Sequence, residues 1–176
     1  MRNGILIIGF TLALAACATA PGSRIAPAPP KPPRYMQPVD IRALIVDGAT
    51  AMLGQPYRYG GAAPGGFDCS GLVVYATGGA GIQLPRTAQE QLHAGLPISR
   101  RDLRAGDLVF MHLARKELHV GIAIDSDRFV HAPATGGHVR IDSLNAPPYA
   151  RGFLAARRIV NIAAALPAPA DSTARY

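Results

Sequence analysis

The spacing of apolar residues changes once along the chain, from three and four to two. In the early part, Ile41, Leu44, Ile45, Met52 and Leu53 share one stripe of a helix that Asp40 can cap and Gly54 can stop. The segment from Gln55 to Phe67 has no stripe and carries Gly60-Gly61 and Gly65-Gly66, so it reads as a loop. A second helix is predicted to begin at Asp68-Cys69, to bury Leu72, Val73 and Ala76, and to end at Gly78-Gly79. Thr87-Ala-Gln-Glu90 has capping-box spacing and starts a short third helix reaching about Ala94. After that come short runs rich in Val, Ile and Phe: Asp107–Met111, His119–Asp125, Arg128–His131, Val139–Asp142 and Phe153–Val160. Helices first and strands second predict an α+β domain, with N-terminal helices packed on an antiparallel sheet of about five or six strands.

Composition narrows the class. The chain has 176 residues, with 18 Lys plus Arg, 11 Asp plus Glu, two cysteines and no tryptophan. That length suits one compact domain, and 49% hydrophobic with 16% charged residues excludes wholesale disorder and a coiled coil. Two cysteines exclude a disulfide-stapled miniprotein. The net charge of +7 suggests an anionic partner. Nucleic acid is not that partner, because the arginines are dispersed and no motif accompanies them.

The two ends read as appendages. Arg2 followed by the apolar run Gly4–Leu14 has the form of a secretory signal and is too short to span a bilayer comfortably. The run ends in Leu14-Ala-Ala-Cys17, which resembles a bacterial lipobox. That resemblance implies removal of residues 1–16, acylation of Cys17 and anchoring through several acyl chains. Removal takes away only Arg2, so the net charge falls from +7 to +6 and the chain stays basic. Ala18 rather than Asp after the cysteine implies, by resemblance to Gram-negative lipoproteins, the outer membrane with the domain facing the periplasm. Pro21 to Pro38 holds seven prolines and reads as an extended tether over residues 17–38. Residues 163–176 have no amphipathic period and read as a tail, which leaves 39–162 as the folded unit.

The candidate chemistry centres on Cys69. A cysteine near a helix start is often only a small buried hydrophobe. Here, however, the helix N-terminus offers positive potential that favours thiolate and free amides that can hold an oxyanion. Two histidines lie on adjacent predicted strands. In His119-Val-Gly-Ile-Ala-Ile124 one face carries His119, Gly121 and Ala123, leaving room beside the histidine. His131 is brought next to it by a hairpin turned at Asp125-Ser-Asp127. Cys69 is then the nucleophile, His119 the general base, and His131 the group that fixes the ring of His119. His93, His112 and His138 read as solvated, Tyr59 as a packing aromatic, and Asp107 as the tie of a turn before its strand.

Asp68-Cys-Ser-Gly71, His119-Val-Gly-Ile122 and Phe129-Val-His-Ala132, in this order, resemble the NlpC-type cell-wall cysteine peptidases, in particular their short lipoprotein branch. So do Gly54-Gln-Pro-Tyr57-Arg-Tyr-Gly-Gly61, Leu84-Pro-Arg86-Thr87-Ala-Gln-Glu90-Gln, Leu103-Arg-Ala-Gly-Asp107-Leu-Val-Phe110 and the Arg-rich closing strand. The resemblance covers about residues 40–160. It implies a circularly permuted papain-like fold, a Cys69-His119-His131 triad, no cofactor, and hydrolysis of peptide bonds in peptidoglycan stems or cross-links. It also places Tyr57 near the cysteine for substrate or oxyanion binding, and Asp68 and Ser70 against the stem peptide. Arg86 fits the pattern too, either against a substrate carboxylate or as a structural partner. Two other readings use the same residues. One is a catalytic zinc site with Cys69, His119 and His131 as ligands. The other is a wall-binding lipoprotein that keeps the pocket without turnover.

Overall fold

The computed structural model describes residues 39–113, 117–134 and 137–160. The leader, Cys17, the tether and the 163–176 tail lie outside the described residues. Among the described residues no helix is long and apolar enough to cross a membrane.

Helix α1 spans Ile41–Thr50, and the Asp40 carboxylate accepts from the amides of Arg42 and Ala43 at its start. It stops short of Leu53 because the chain tightens into i→i+3 turns, with Met52 N–H donating to Ala49 O and Leu53 N–H to Thr50 O. Helix α2 spans Cys69–Gly79, capped by Asp68, and buries Leu72, Val73 and Ala76 as the pattern predicts. Helix α3, Ala88–Gln91, carries the expected capping box between Thr87 and Glu90. It is shorter than expected because Gly95, at φ 76°, turns the chain into a strand that the sequence did not announce.

That strand belongs to a six-stranded antiparallel sheet, which agrees with the predicted α+β class. A two-stranded hairpin, β1 (Ala62–Ala63) with β2 (Gly66–Phe67), precedes it. The sheet comprises β3 (Leu96–Ile98), β4 (Leu108–His112), β5 (Leu118–Ala123), β6 (Arg128–His131), β7 (Arg140–Ser143) and β8 (Phe153–Arg158). Its order is β3-β8-β4-β5-β6-β7, so β4 to β7 form a meander and β8 returns to the outer side of β4. A short helix, α4 (Tyr149–Gly152), leads into β8.

The central strands of the sheet are buried on both faces, and β4 shows how. Leu108 and Phe110 join Val120, Ile122 and Val130 against Ile45 and Ala49 of α1 and Leu72, Val73 and Ala76 of α2. Val109 and Met111 join Ala123 and Phe129 under Leu103, Leu144 and Tyr149 on the opposite face. A strand with cores on both sides reads as a continuous apolar run, as Leu-Val-Phe-Met does here.

Asp107 holds the bottom of this arrangement. It ties the expected turn, its carboxylate accepting from Arg104 N–H at 2.8 Å. It is also fully buried and pairs with Arg42 of α1 at 3.2 Å and with Arg158 of β8 at 2.9 Å. One carboxylate thus joins the first helix to the last strand. Removing it leaves two arginines facing each other without a counter-charge. Asp107→Ala is expected to destabilise the domain by about 3–5 kcal/mol, measured as a lower urea midpoint with an unchanged slope. A loss under about 1 kcal/mol would show that the pair carries little of the fold.

Candidate active site

The first turn of α2 is fixed by its cap. Asp68 Oδ1 accepts from Gly71 N–H at 2.7 Å and from the Ser70 hydroxyl at 3.2 Å. Its other oxygen accepts from Gly60 N–H at 2.9 Å. Arg86 grips both oxygens, at 2.9 and 2.6 Å, and also donates to Ser70 Oγ at 3.0 Å and Gly61 O at 3.3 Å. Burial raises the Asp68 pKa, but the hydrogen bonds from Arg86, Gly71 and Gly60 outweigh it and hold the carboxyl below its usual range. The glycines serve this contact. A Cβ at Gly71 would sit 1.9 Å from Gly61 O, so the loop and the helix start meet backbone to backbone.

Cys69 therefore sits at the first position of α2, half-buried, with the amides of Val120, Ser70 and Cys69 itself within hydrogen-bonding reach of the sulfur. The helix N-terminus was expected to favour thiolate. The resting site does the reverse, because burial pushes the Cys69 thiol above its ordinary value. The negative charge of Asp68 adds to this, and the three amides offset only part of it.

The histidines meet as the strand pattern predicted. The β5–β6 ladder ends at the Ile122–Val130 pair, and both histidines lie beyond it where the strands part. His119 Nε2 and His131 Nδ1 are 2.7 Å apart with the rings edge to face. Gly121 is required here, since a Cβ would run into Phe129 and His131. The expected hairpin turn is present: Asp125 accepts from the amides of Asp127 and Arg128. Burial lowers His119 to about 3, with the His131 and Arg140 charges adding to it. Burial also lowers His131, to about 4, and contact with Asp142 recovers only part of that shift. Both rings rest neutral at physiological pH.

One cavity of about 720 Å³ gathers these groups. Tyr57, Asp68, Cys69, Ser70, Arg86 and His119 all line it, so the structure brings together every residue singled out on the substrate side. His131 is fully buried behind His119. The Tyr57 hydroxyl is raised above its usual value by burial and then by the neighbouring Cys69 and Asp68. Tyr59 is not the packing aromatic expected of it. It is 90% exposed at the cavity rim, because the turn at Gly60 points it outward. His93, His112 and His138 are exposed, as expected.

Sequence reasoning missed what stands behind His131. Asp142 Oδ2 lies 2.9 Å from His131 Nε2 and is itself held by Arg140 and by the hydroxyl of Tyr149. The available signal was Arg140 and Asp142 alternating on a predicted strand next to that of His131. Glu117 at the rim and Gln91, which donates to Ser70 O and Pro85 O beneath the helix start, were also not foreseen.

Comparison with known proteins agrees with the motifs. A model of the NlpC/P60 family matches residues 54–158, and the chain belongs to that family. It is similar to the murein DD-endopeptidase MepH of Escherichia coli (strain K12), with 41% identity over 114 residues, 61% of this chain and 42% of that protein. It is also similar to the murein DD-endopeptidase MepS/murein LD-carboxypeptidase of the same strain, with 39% identity over 124 residues, 70% of this chain and 65% of that protein. Among solved structures, an NlpC/P60 family protein from Bacillus cereus ATCC 10987 aligns with a TM-score of 0.63 at 30% identity, covering 66% of this chain and 39% of that one. The chain spans less than two thirds of the length of each of these relatives.

A half-buried thiol held neutral by desolvation should react slowly at neutral pH. The rate of Cys69 alkylation by iodoacetamide is expected to keep climbing as pH rises past 9, the ordinary thiol value, since thiolate populates only there. A plateau reached below pH 8 would mean a preformed thiolate.

Proposed function

We propose that the protein is a peptidoglycan endopeptidase that cleaves stem-peptide or cross-link amides with Cys69 as nucleophile. The observation that carries this reading is the placement of Cys69, at a capped helix start, in the same cavity as His119, whose ring is bonded to His131. Membership of a family whose relatives bear murein endopeptidase names supports the substrate class.

In this mechanism the substrate carbonyl enters beside Cys69. His119, neutral at rest, takes the thiol proton as sulfur attacks. The amides near the sulfur and the Tyr57 hydroxyl stabilise the oxyanion. The His119 imidazolium then protonates the leaving amine, and the neutral ring afterwards draws a proton from the water that hydrolyses the thioester. Asp68, Ser70 and Arg86 bind the stem peptide from the α2 side of the cavity. Their mutual ion pair and hydrogen bonds give that wall a fixed polar surface.

The zinc reading fits the geometry less well. A shared metal needs lone pairs converging on one point, whereas the two rings bond to each other and His131 bonds onward to Asp142. The wall-binding reading has no observation of its own in its favour.

The leader gives the address. Leu14-Ala-Ala-Cys17 supports acylation of Cys17, and Ala18 in place of Asp supports an outer-membrane anchor, with the Pro-rich tether holding the domain in the periplasm. Cys17→Ala is expected to move the protein out of the membrane pellet; its retention there would remove the anchor.

The activity is tested by incubating purified protein with sacculi and identifying released muropeptides by mass spectrometry. Wild type is expected to release them, a chelator to leave release intact, and Cys69→Ala to lower it by at least about a thousandfold. A folded protein with alkylatable Cys69 that binds sacculi and releases nothing would overturn the peptidase reading. Abolition by chelator alone would favour zinc.

A further inference from the structure

Behind the cavity, Asp142 of β7 closes a chain of hydrogen bonds that begins at His119. Its Oδ2 atom lies 2.9 Å from His131 Nε2, 2.6 Å from the Tyr149 hydroxyl and 2.9 Å from Arg140 Nε. Arg140 also donates to the Tyr149 oxygen at 3.2 Å, which leaves the hydroxyl hydrogen for Asp142. Burial opposes the charge on this carboxylate. The bonds from Tyr149, Arg140 and His131 outweigh it and bring the pKa down to about 2, so the group is ionised throughout the working range.

An ionised carboxylate accepts hydrogen bonds and donates none. His131 Nε2 must therefore carry the hydrogen of the bond to Asp142. A neutral imidazole has one N–H, so His131 Nδ1 is an acceptor. The 2.7 Å bond to His119 Nε2 is then donated by His119. The remaining nitrogen of His119, Nδ1, is left with a lone pair. Only that arrangement can take a proton from a neutral thiol. The reverse arrangement, with hydrogens on both Nδ1 atoms, leaves His119 no lone pair for Cys69.

We infer that Asp142 is a positioning residue which, acting through His131, fixes the hydrogen positions of both rings so that His119 keeps an unprotonated Nδ1. Arg140 and Tyr149 hold the carboxylate in place. Phe129, packed 4.6 Å from the His131 ring and 5.0 Å from the Tyr149 ring, closes the space around them. The charge of Asp142 also offsets the positive charge that His119 acquires when it takes the thiol proton. This inference rests on the reading of Cys69 and His119 as nucleophile and base, but its structural core is readable without turnover.

The experiment compares wild type, Asp142→Asn, Asp142→Ala and Tyr149→Phe in the full chain. Imidazole nitrogen shifts are read by NMR at neutral pH, beside kcat and KM for murein peptide hydrolysis. In wild type the hydrogens are expected on Nε2 of both histidines. Asp142→Asn, whose amide can donate to His131, should mix or reverse that pattern and lower kcat about tenfold to a hundredfold, with KM within about twofold. Tyr149→Phe removes one of the hydrogen bonds that hold the carboxylate but keeps its charge, so its hydrogen pattern should match wild type while its kcat falls less than in Asp142→Asn. A wild-type spectrum with hydrogen on His119 Nδ1 would overturn the proposal. So would an Asp142→Asn protein with wild-type spectrum and kcat, or a Tyr149→Phe protein that loses as much as Asp142→Asn. If Asp142→Ala fails to fold, Asp142→Asn carries the comparison. Wild-type protein showing the expected spectrum with no hydrolysis would count against the peptidase reading alone.

Discussion

The site depends on the carboxylate of Asp68. It caps α2 through Gly71, holds the loop through Gly60, and is gripped on both oxygens by Arg86 from the segment before α3. A helix cap alone contributes about 1 kcal/mol, which would not fix a catalytic side chain. Three separate segments bonded to one carboxylate remove the freedom of the first turn instead. The close approach of Gly61 O to Gly71 completes it, because any side chain there would force the loop and helix apart. Cys69 has little choice of position once its neighbour is tied in this way.

Burial then sets the chemistry. Cys69, His119 and His131 are all pushed by desolvation toward their neutral forms. A resting site without a thiolate–imidazolium pair is compatible with a fold that closes apolar cores against both faces of its central strands. The carboxylates that structure the site and core, Asp68, Asp107 and Asp142, each have several partners. In the proposed mechanism the proton therefore moves only when substrate engages, and the hydrogen-bonded histidine pair shares the resulting charge.

Much of this was legible in the residues. Alternation in His119-Val-Gly-Ile-Ala placed the histidine opposite the core-facing Val120 and Ile122, and Asp125-Ser-Asp127 predicted the turn that brings His131 beside it. Asp68 preceding an apolar stripe predicted the helix start at Cys69. The hairpin of Ala62–Ala63 with Gly66–Phe67 and the edge strand Leu96–Ile98 were not legible. Strands of two or three residues, one interrupted by proline, have no period to detect. Tyr59 was misread because a side chain's direction at a glycine turn depends on the turn's dihedral angles, which residue type leaves open.

By itself, the sequence determined the candidate nucleophile, its helix, the two candidate histidines, the α+β class and the family. These follow from local signals: a cap, a turn, an alternation and short motifs whose residue types the chemistry requires. The ionisation of the thiol and the ordering of hydrogens behind His119 came only from the tertiary structure. Both depend on burial and on partners distant in sequence. Desolvation of Cys69 comes from packing around α2 and β5, and Asp142 reaches His131 only because β7 pairs with β6 and α4 brings Tyr149 over it. Local patterning specifies which groups are present, and the packed fold decides which of them carry charge.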